Sequence, residues 1–452
     1  MYKIYYIYIF SLLLSASACS KFLDIKPPVD SATTAKVFEN ETTALSAVKG
    51  LYVQVRGSAG IFNSALCLYP GVGSDELFNP TNLTSIQSFY TNTLLNDNTT
   101  TFSMWINSYQ YIYTANVILD GLKIAKNINS KAKDIFRGEM LYFRSLAYFY
   151  LVNLFGDVPL VLAPDYIENT HLARTAKETV YKQVVTDLLE AQSLLPVTAT
   201  NANTRVSKMA VSALLARVYL YLQQWENAEE SASLVINSGV YRLEADLNKT
   251  FLATSPETIL QISRPNTNTS EGNAFIPSSA TTLPTYAATD YLLSVFEPND
   301  ARKNSWLKVN TVSGRQYYYP YKYKVRSSTT STENNIVQRL AEVLLIRAEA
   351  RAELGKLTLA QDDLNTIRKR AGLQNANTSS LAELINMIAA ERQKELFAEW
   401  GHRWFDLKRT HKINDVLSVR KAPNWAATDS LYPVPISQIN ANPSLTQNPG
   451  YE

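Results

Sequence analysis

Apolar residues along this chain fall mostly at helical spacing, in blocks separated by two long polar stretches. Residues 32–56 read as a first amphipathic helix, with Ala44, Leu45, Val48, Leu51 and Tyr52 recurring on one face. From residue 57 to about 101 the pattern dissolves into Asn, Thr, Ser, Gly and Pro, with aromatics set singly at Phe62, Tyr69, Phe78, Phe89 and Tyr90. Polar sequence of that length predicts loop, and long loops in compact domains are usually functional or mobile. Helical spacing resumes at Trp105 and runs through Tyr109, Ile112, Asn116 and Leu119. Residues 131–155 are apolar on most sides, which predicts a central helix stopped by Gly156 and Pro159. Another helix is expected over 179–195, ending at Pro196.

Residues 206–239 read as two antiparallel helices turning near Trp225, with Ala228 and Ala232 letting the second approach the first. Residues 341–372 repeat the design, with a turn at Gly355-Lys356 and then Ala360, Leu364 and Ile367. Aligning Leu214-Leu215 with Leu344-Leu345 superposes Arg217 on Arg347. Large–small alternation in repeated helical hairpins is the tetratricopeptide arrangement in degenerate form. The fold class expected is mainly α: a tetratricopeptide-like helical-hairpin scaffold with large loop-rich insertions and a few short strands. Helical pairs around 105–155, 179–239 and 341–400 would build it as a short right-handed solenoid.

Residues 241–335 form the second irregular block, with β-like runs at 258–263 and 317–325 among Asn, Thr, Ser and Pro. Helices are expected over 336–410, and an irregular, Pro- and Asn-rich tail closes the chain. Within 391–409, Glu391, Glu395, Glu399 and Arg403 recur every four residues beside Leu396, Phe397, Trp400, Trp404 and Phe405. On one helix they would form a single row. Carboxylates interleaved with guanidinia neutralise one another and stay ionised, so the row is read as a device that fixes how helices dock rather than as a general acid.

The 452 residues are 46% hydrophobic, enough for a large core and one or two domains. Lys+Arg (43) and Asp+Glu (40) are interspersed, so nothing points to nucleic acid. With three histidines and two cysteines, a zinc site or Cys/His nucleophile is poorly supplied. Tyrosine stands out at 27 residues, the amphipathic side chain of wet binding surfaces and of helix contacts alike. No cofactor is expected. A bound Ca²⁺ is left open, because acids and amides are scattered through both blocks without a calcium-loop motif.

Residues 1–18 read as an export signal: Lys3, an apolar run over 4–14 too short to span a bilayer, then small residues. Cys19 directly after Ala16-Ser17-Ala18 is placed as at a bacterial lipoprotein cleavage point, although Ala16 stands where Leu is usual. Multiple acylation of Cys19 would hold the protein stably on a membrane, with 19–31 as tether. The alternative is a plain secretory signal cut near Ala18. With Cys19 consumed, Cys67 has no disulfide partner and is read as a small core residue.

Taken in order, several segments resemble the SusD/RagB family of outer-membrane nutrient-uptake lipoproteins found in Bacteroidetes-type bacteria. They are Cys19-Ser-Lys-Phe-Leu-Asp24, the 138–159 helix ending Phe-Gly-Asp-Val-Pro, residues 213–239, 339–350, 364–372 and 391–409, and the Pro-Val-Pro-Ile and Gln-Asn-Pro-Gly-Tyr of the tail. The resemblance divides the mature chain into an N-terminal region, 32–240, and a C-terminal region, 241–452. It implies a lipid-anchored outer-membrane protein facing the exterior. Such a protein captures oligosaccharide, or in some members peptide, and acts as lid and delivery subunit for a TonB-dependent, SusC-like transporter barrel. It also implies that helices form the scaffold while the blocks 57–101 and 241–335 build the ligand face.

A sugar ring has apolar faces and a belt of hydroxyls, so its binder needs exposed aromatic rings plus amides, carboxylates or Arg. In the first block Asp75, Phe78 and Asn79 lie together, followed by Phe89 and Tyr90; in the second, Trp306 and Tyr317 are the candidates. The resemblance implies a carboxylate in the first loop and aromatics from both, which singles out Asp75 and Tyr90. Packing competes with binding at Phe89, Tyr90, Trp306 and Tyr317, and Asp75 would equally serve as a turn cap. Trp105, Trp225, Trp400 and Trp404 sit in helical pattern and are assigned to the scaffold.

Three functions compete. A binding lipoprotein breaks no bond. A glycoside hydrolase would need two carboxylates facing each other across a cleft, and Asp75 and Glu76, adjacent in sequence, should point apart. A tetratricopeptide-type adaptor would instead hold a partner protein's peptide.

Overall fold

The computed structural model describes residues 34–57, 60–199, 203–330 and 332–452. The export signal, Cys19 and the tether lie outside the described residues. Helix α1 (Glu41–Arg56) starts where the Asn40 side chain accepts the Thr43 amide, and it buries Ala44, Val48, Leu51 and Val55.

The first irregular block is more ordered than its composition predicts. It holds α2 (Leu66–Gly73), strand β1 (Leu77–Phe78) and α3 (Thr84–Tyr90). Every residue of α2 except Tyr69 is buried, Pro70 included. Burial of Leu66, Cys67, Leu68 and Val72 therefore outweighs the Gly/Pro signal that favoured a loop.

Two 26-residue helices follow, α4 (Thr99–Ile124) and α5 (Ser130–Phe155). The first begins before Trp105 because the Asn98 side chain accepts the amides of Thr100 and Thr101. As expected, α5 is central. It is buried on nearly all sides between α4 and α6 (Lys177–Leu194), and ends at Gly156, whose φ of +73° suits glycine. The hairpin of α7 (Lys208–Tyr221) and α8 (Trp225–Asn237) packs next, with Ala228 and Ala232 fully buried.

The second block contributes strands β2 (Thr258–Ile262) and β3 (Ala287–Ala288), then helices α9 (Asp290–Ser294) and α10 (Ala301–Trp306). Strands β4 (Leu307–Val312), β5 (Arg315–Pro320) and β6 (Asn335–Arg339) complete it. All pairings are antiparallel: β1 with β3, β2 with β6, β4 with β5. The β4–β5 hairpin turns on Ser313 and Gly314, both at positive φ as a two-residue turn of the favoured hand demands.

The second hairpin, α11 (Leu340–Glu353) and α12 (Leu357–Arg370), stacks α11 on α8, and α13 (Leu381–Leu396) closes over α11. Short helices α14 (His402–Arg409) and α15 (Ile413–Arg420) lead into the tail. The architecture is thus the mainly helical, tetratricopeptide-like hairpin scaffold that the spacing predicts.

Buried arginines pin the layers. Arg144 on α5 donates twice to Asp187 on α6 (2.7 and 2.8 Å) and once to Asn116 on α4 (2.7 Å). Arg347 grips Asp363 inside the second hairpin, at 2.9 and 2.7 Å. Arg217, its counterpart in the repeat, instead reaches across to Glu342 on α11, with two bonds of 2.6 Å.

The acid row differs from expectation in geometry. Ala398, Trp400 and Gly401 all take positive φ, which breaks the helix after Leu396 and puts Arg403 on α14 rather than in line with Glu391 and Glu395. The acids are wholly interior. Arg302 bridges Asp300, Glu391 and Glu395 at 2.7–3.0 Å, and Arg339 bridges Glu257, Glu395 and Glu399 at 2.6–2.9 Å. Burial alone would raise the Glu395 carboxyl, but the guanidinia of Arg370, Arg339 and Arg302 overcome it and hold it well below the usual carboxylate range. The lattice ties the second block to α13, as a docking device should.

Candidate ligand-binding site

Strand β1 sends Leu77 into the core and leaves Phe78 partly exposed. Phe78 lies opposite Ala287 of β3, and its ring sits 6.4 Å from the ring of Tyr317 on β5, tilted by 36°. These two rings, 239 residues apart in sequence, bring the two irregular blocks together. Tyr317 is also partly exposed and carries the Arg315 guanidinium 5.0 Å above its ring. Its cross-strand neighbour Asn310 donates to the carbonyls of Ser279 and Thr282 (2.9 and 2.7 Å), which tacks the preceding loop to the hairpin.

A second pair of rings borders residues 420–421. Arg420 lies 3.9 Å over Tyr291 on α9, and Lys421 lies 4.1 Å from the Tyr90 ring centre while donating to the carbonyls of Val72 and Tyr90. Thr289, two residues before Tyr291, hydrogen-bonds the backbone of Asp75 and Glu76, and so links these rings to β1. Phe78, Tyr317, Tyr291 and Tyr90 are all partly exposed, on one chain of contacts. Of the residues singled out from sequence, Phe78, Tyr317 and Tyr90 belong to this surface.

The other candidates are placed elsewhere. Asp75 is 3% exposed, and both its carboxylate oxygens accept from Arg403 at 2.8 Å, so no lone pair is directed at solvent for a hydroxyl. Asn79 is 3% exposed, with its amide spent on Leu83 and Thr81 within its own turn. Phe89 is core, packed on Tyr69 and Tyr432 at 4.6 and 5.6 Å. Trp306 is fully buried: its indole N–H donates to the Leu247 carbonyl at 2.8 Å, and its ring lies against the cations of the lattice, 4.7 Å from the Lys322 ammonium. At these four positions packing outweighs display, because the block around each is folded rather than looped out. Cys19 lies outside the described residues.

Tyr291 was not legible in the sequence. It follows an exposed Asp in a five-residue helix, and nothing in its spacing points to residue 420. Beside the surface, Glu76 is buried with an unbonded carboxylate oxygen. Burial, and then the adjacent Asp75, push its carboxyl up to about 8 against the opposing pull of Arg403 and Lys322. Among the described residues no group of three or more His, Cys, Asp or Glu is arranged to hold a metal, and no helix is long and apolar enough to cross a membrane.

Residues 21–220 match the family described as starch-binding and associating with the outer membrane, and residues 294–451 match the SusD/RagB family itself. The chain belongs to the SusD/RagB family. SusD-like protein P2 of Formosa agariphila is 28% identical over 419 residues, covering 79% of this chain and 82% of that protein. SusD-like protein P25 of the same organism is 25% identical, covering 98% and 97%. Among solved structures, a laminarin-binding SusD-like protein is 26% identical with a TM-score of 0.75, over 91% of this chain and all of that one. A SusD superfamily protein from Bacteroides vulgatus, 22% identical over 91% and 99%, gives a TM-score of 0.81 and shares the fold. SusD/RagB proteins as a group are associated with the outer membrane.

Proposed function

We propose that this SusD/RagB protein binds oligosaccharide or polysaccharide on the surface carrying Phe78, Tyr317, Tyr291 and Tyr90. In this reading it serves as the capture and delivery subunit, or lid, of a SusC-like TonB-dependent transporter, held at the outer membrane by a lipid on Cys19 and facing the exterior. The observation that carries the reading is the Phe78–Tyr317 pair: two partly exposed rings from distant blocks meet at 6.4 Å. Rings so placed stack on the apolar faces of sugars, and the flanking guanidinium supplies hydrogen-bond donors for hydroxyls. The laminarin-binding relative supports saccharide as the ligand class.

Binding without bond cleavage fits the chemistry of the surface. Asp75 is locked to Arg403 and Glu76 is buried beside it, so these two neighbouring carboxylates do not face each other across an open cleft. Calorimetric titration with a panel of glycans and peptides tests the ligand class: heat of binding with saccharides alone is expected, and binding confined to peptides would overturn it. Affinity capture from solubilised outer membranes tests the partner. A large β-barrel should co-purify, whereas a soluble protein in its place would favour an adaptor.

A further inference from the structure

The rings of the proposed glycan surface are not bare. Arg315 covers one face of Tyr317 at 5.0 Å, and Arg420 covers one face of Tyr291 at 3.9 Å. Both arginines are exposed, and neither forms an ion pair or a side-chain hydrogen bond among the described residues. Each guanidinium is therefore oriented by a tyrosine while its donors remain available.

Among the described residues, no first-block carboxylate pairs with either of them. Asp75 is consumed by Arg403, and Glu76 is interior. The exposed acids nearest in sequence, Asp290 and Asp415, make no ion pair with either arginine. The third cation, Lys421, differs: it is 7% exposed and spends its ammonium on two backbone carbonyls, fixing Tyr90 in place.

A guanidinium is a planar fork of N–H donors, the geometry that matches carboxylate and sulfate oxygens in pairs, and here each fork lies over a tyrosine ring. A neutral glycan would use those donors only for hydroxyls and leave both charges to solvent. An acidic one sets anions against both guanidinia, beside the rings on which its sugars stack. Taking the glycan-binding reading as its basis, we propose that the saccharide bound here is anionic, bearing uronate carboxylates or sulfate esters, and that Arg315 and Arg420 select for that charge.

The test is affinity electrophoresis and calorimetry of the full chain in detergent. The probes are polygalacturonate for carboxylate, carrageenan for sulfate ester, laminarin as a neutral glucan, and polyglutamate as a polyanion without sugar rings. Preference for one or both acidic polysaccharides over laminarin is expected, weakening as salt is raised. The variant R315Q/R420Q should lose about tenfold in affinity for the acidic probe, with Tm unchanged, since two exposed charge contacts together supply about 1.4 kcal/mol. Which acidic probe binds identifies the charged group.

Laminarin bound as tightly as the acidic polymers, or acidic binding unaltered in R315Q/R420Q, would overturn the charge inference while leaving glycan binding intact. Equal binding of polyglutamate would overturn it too, by showing attraction to any polyanion. Binding of none of the polysaccharides would instead defeat the glycan-binding reading itself.

Discussion

Arg403 on α14 grips Asp75 with two parallel hydrogen bonds of 2.8 Å, across 328 residues of sequence. Its terminal nitrogen also lies 3.5 Å from the Tyr291 hydroxyl. The pair is largely buried, and burial first lowers but this carboxylate then raises the Arg403 guanidinium. It ties the first block and α9 to the C-terminal helices, immediately behind the aromatic surface.

Removing one partner should leave the other as a buried, uncompensated charge. Asp75→Ala and Arg403→Ala are each expected to lower stability by about 3–5 kcal/mol, with strong non-additivity in the double variant. Chemical denaturation of the four proteins measures this. An Asp75→Ala protein of native stability that has lost ligand would return Asp75 to the binding site.

Trp306 gives the complementary case. Truncation to Ala empties an interior volume and strands the Leu247 carbonyl, so Trp306→Ala should lose about 3–5 kcal/mol. A fall in midpoint of thermal unfolding, without a selective effect on ligand affinity in the protein that remains folded, is the expected result.

Glu76 makes stability depend on pH. Its carboxyl titrates near 4.5 when unfolded and at about 8 when folded. Between those values the folded protein holds the extra proton, so this group's contribution is intact below about 4.5 and is lost as pH rises through 8. Glu76→Gln keeps the shape and removes the ionisation. Its thermal midpoint should match wild type near pH 4.5 and exceed it progressively towards pH 8. A difference that does not vary with pH would contradict the assignment.

Lipid attachment is tested by Cys19→Ala. Fractionation should move the protein from the membrane pellet to the soluble fraction, because a single remaining apolar signal segment is too short to anchor it. Retention in the pellet would count against a lipid on Cys19.

The helical scaffold was legible because its signals are local. Spacing gave α5 and both hairpins, Gly156 marked a stop, and the small residues Ala228 and Ala232 marked close helix approach. The site was legible only in part, because exposure is a tertiary property. Phe78 and Phe89 look alike in sequence, yet one lies at the end of a two-residue strand at the surface and the other fills a core between Tyr69 and Tyr432. Trp306 reads as a loop aromatic until the lattice of Arg339 and Arg370 is folded around it. Tyr291 carries no local signal, since its partner Arg420 is 129 residues away. Likewise the acid row reads as one helix because nothing in composition foretells positive φ at Ala398 and Trp400.

In the proposed site a saccharide is held by the Phe78–Tyr317 pair rather than by a carboxylate. The decisive measurement is calorimetric titration of wild type and the F78A/Y317A variant against the best-bound glycan. Loss of two stacking rings at about 0.5–1.5 kcal/mol or more each should weaken binding by about tenfold to a hundredfold, with the thermal midpoint nearly unchanged. Undiminished affinity in F78A/Y317A, in a protein that still folds, would contradict the account.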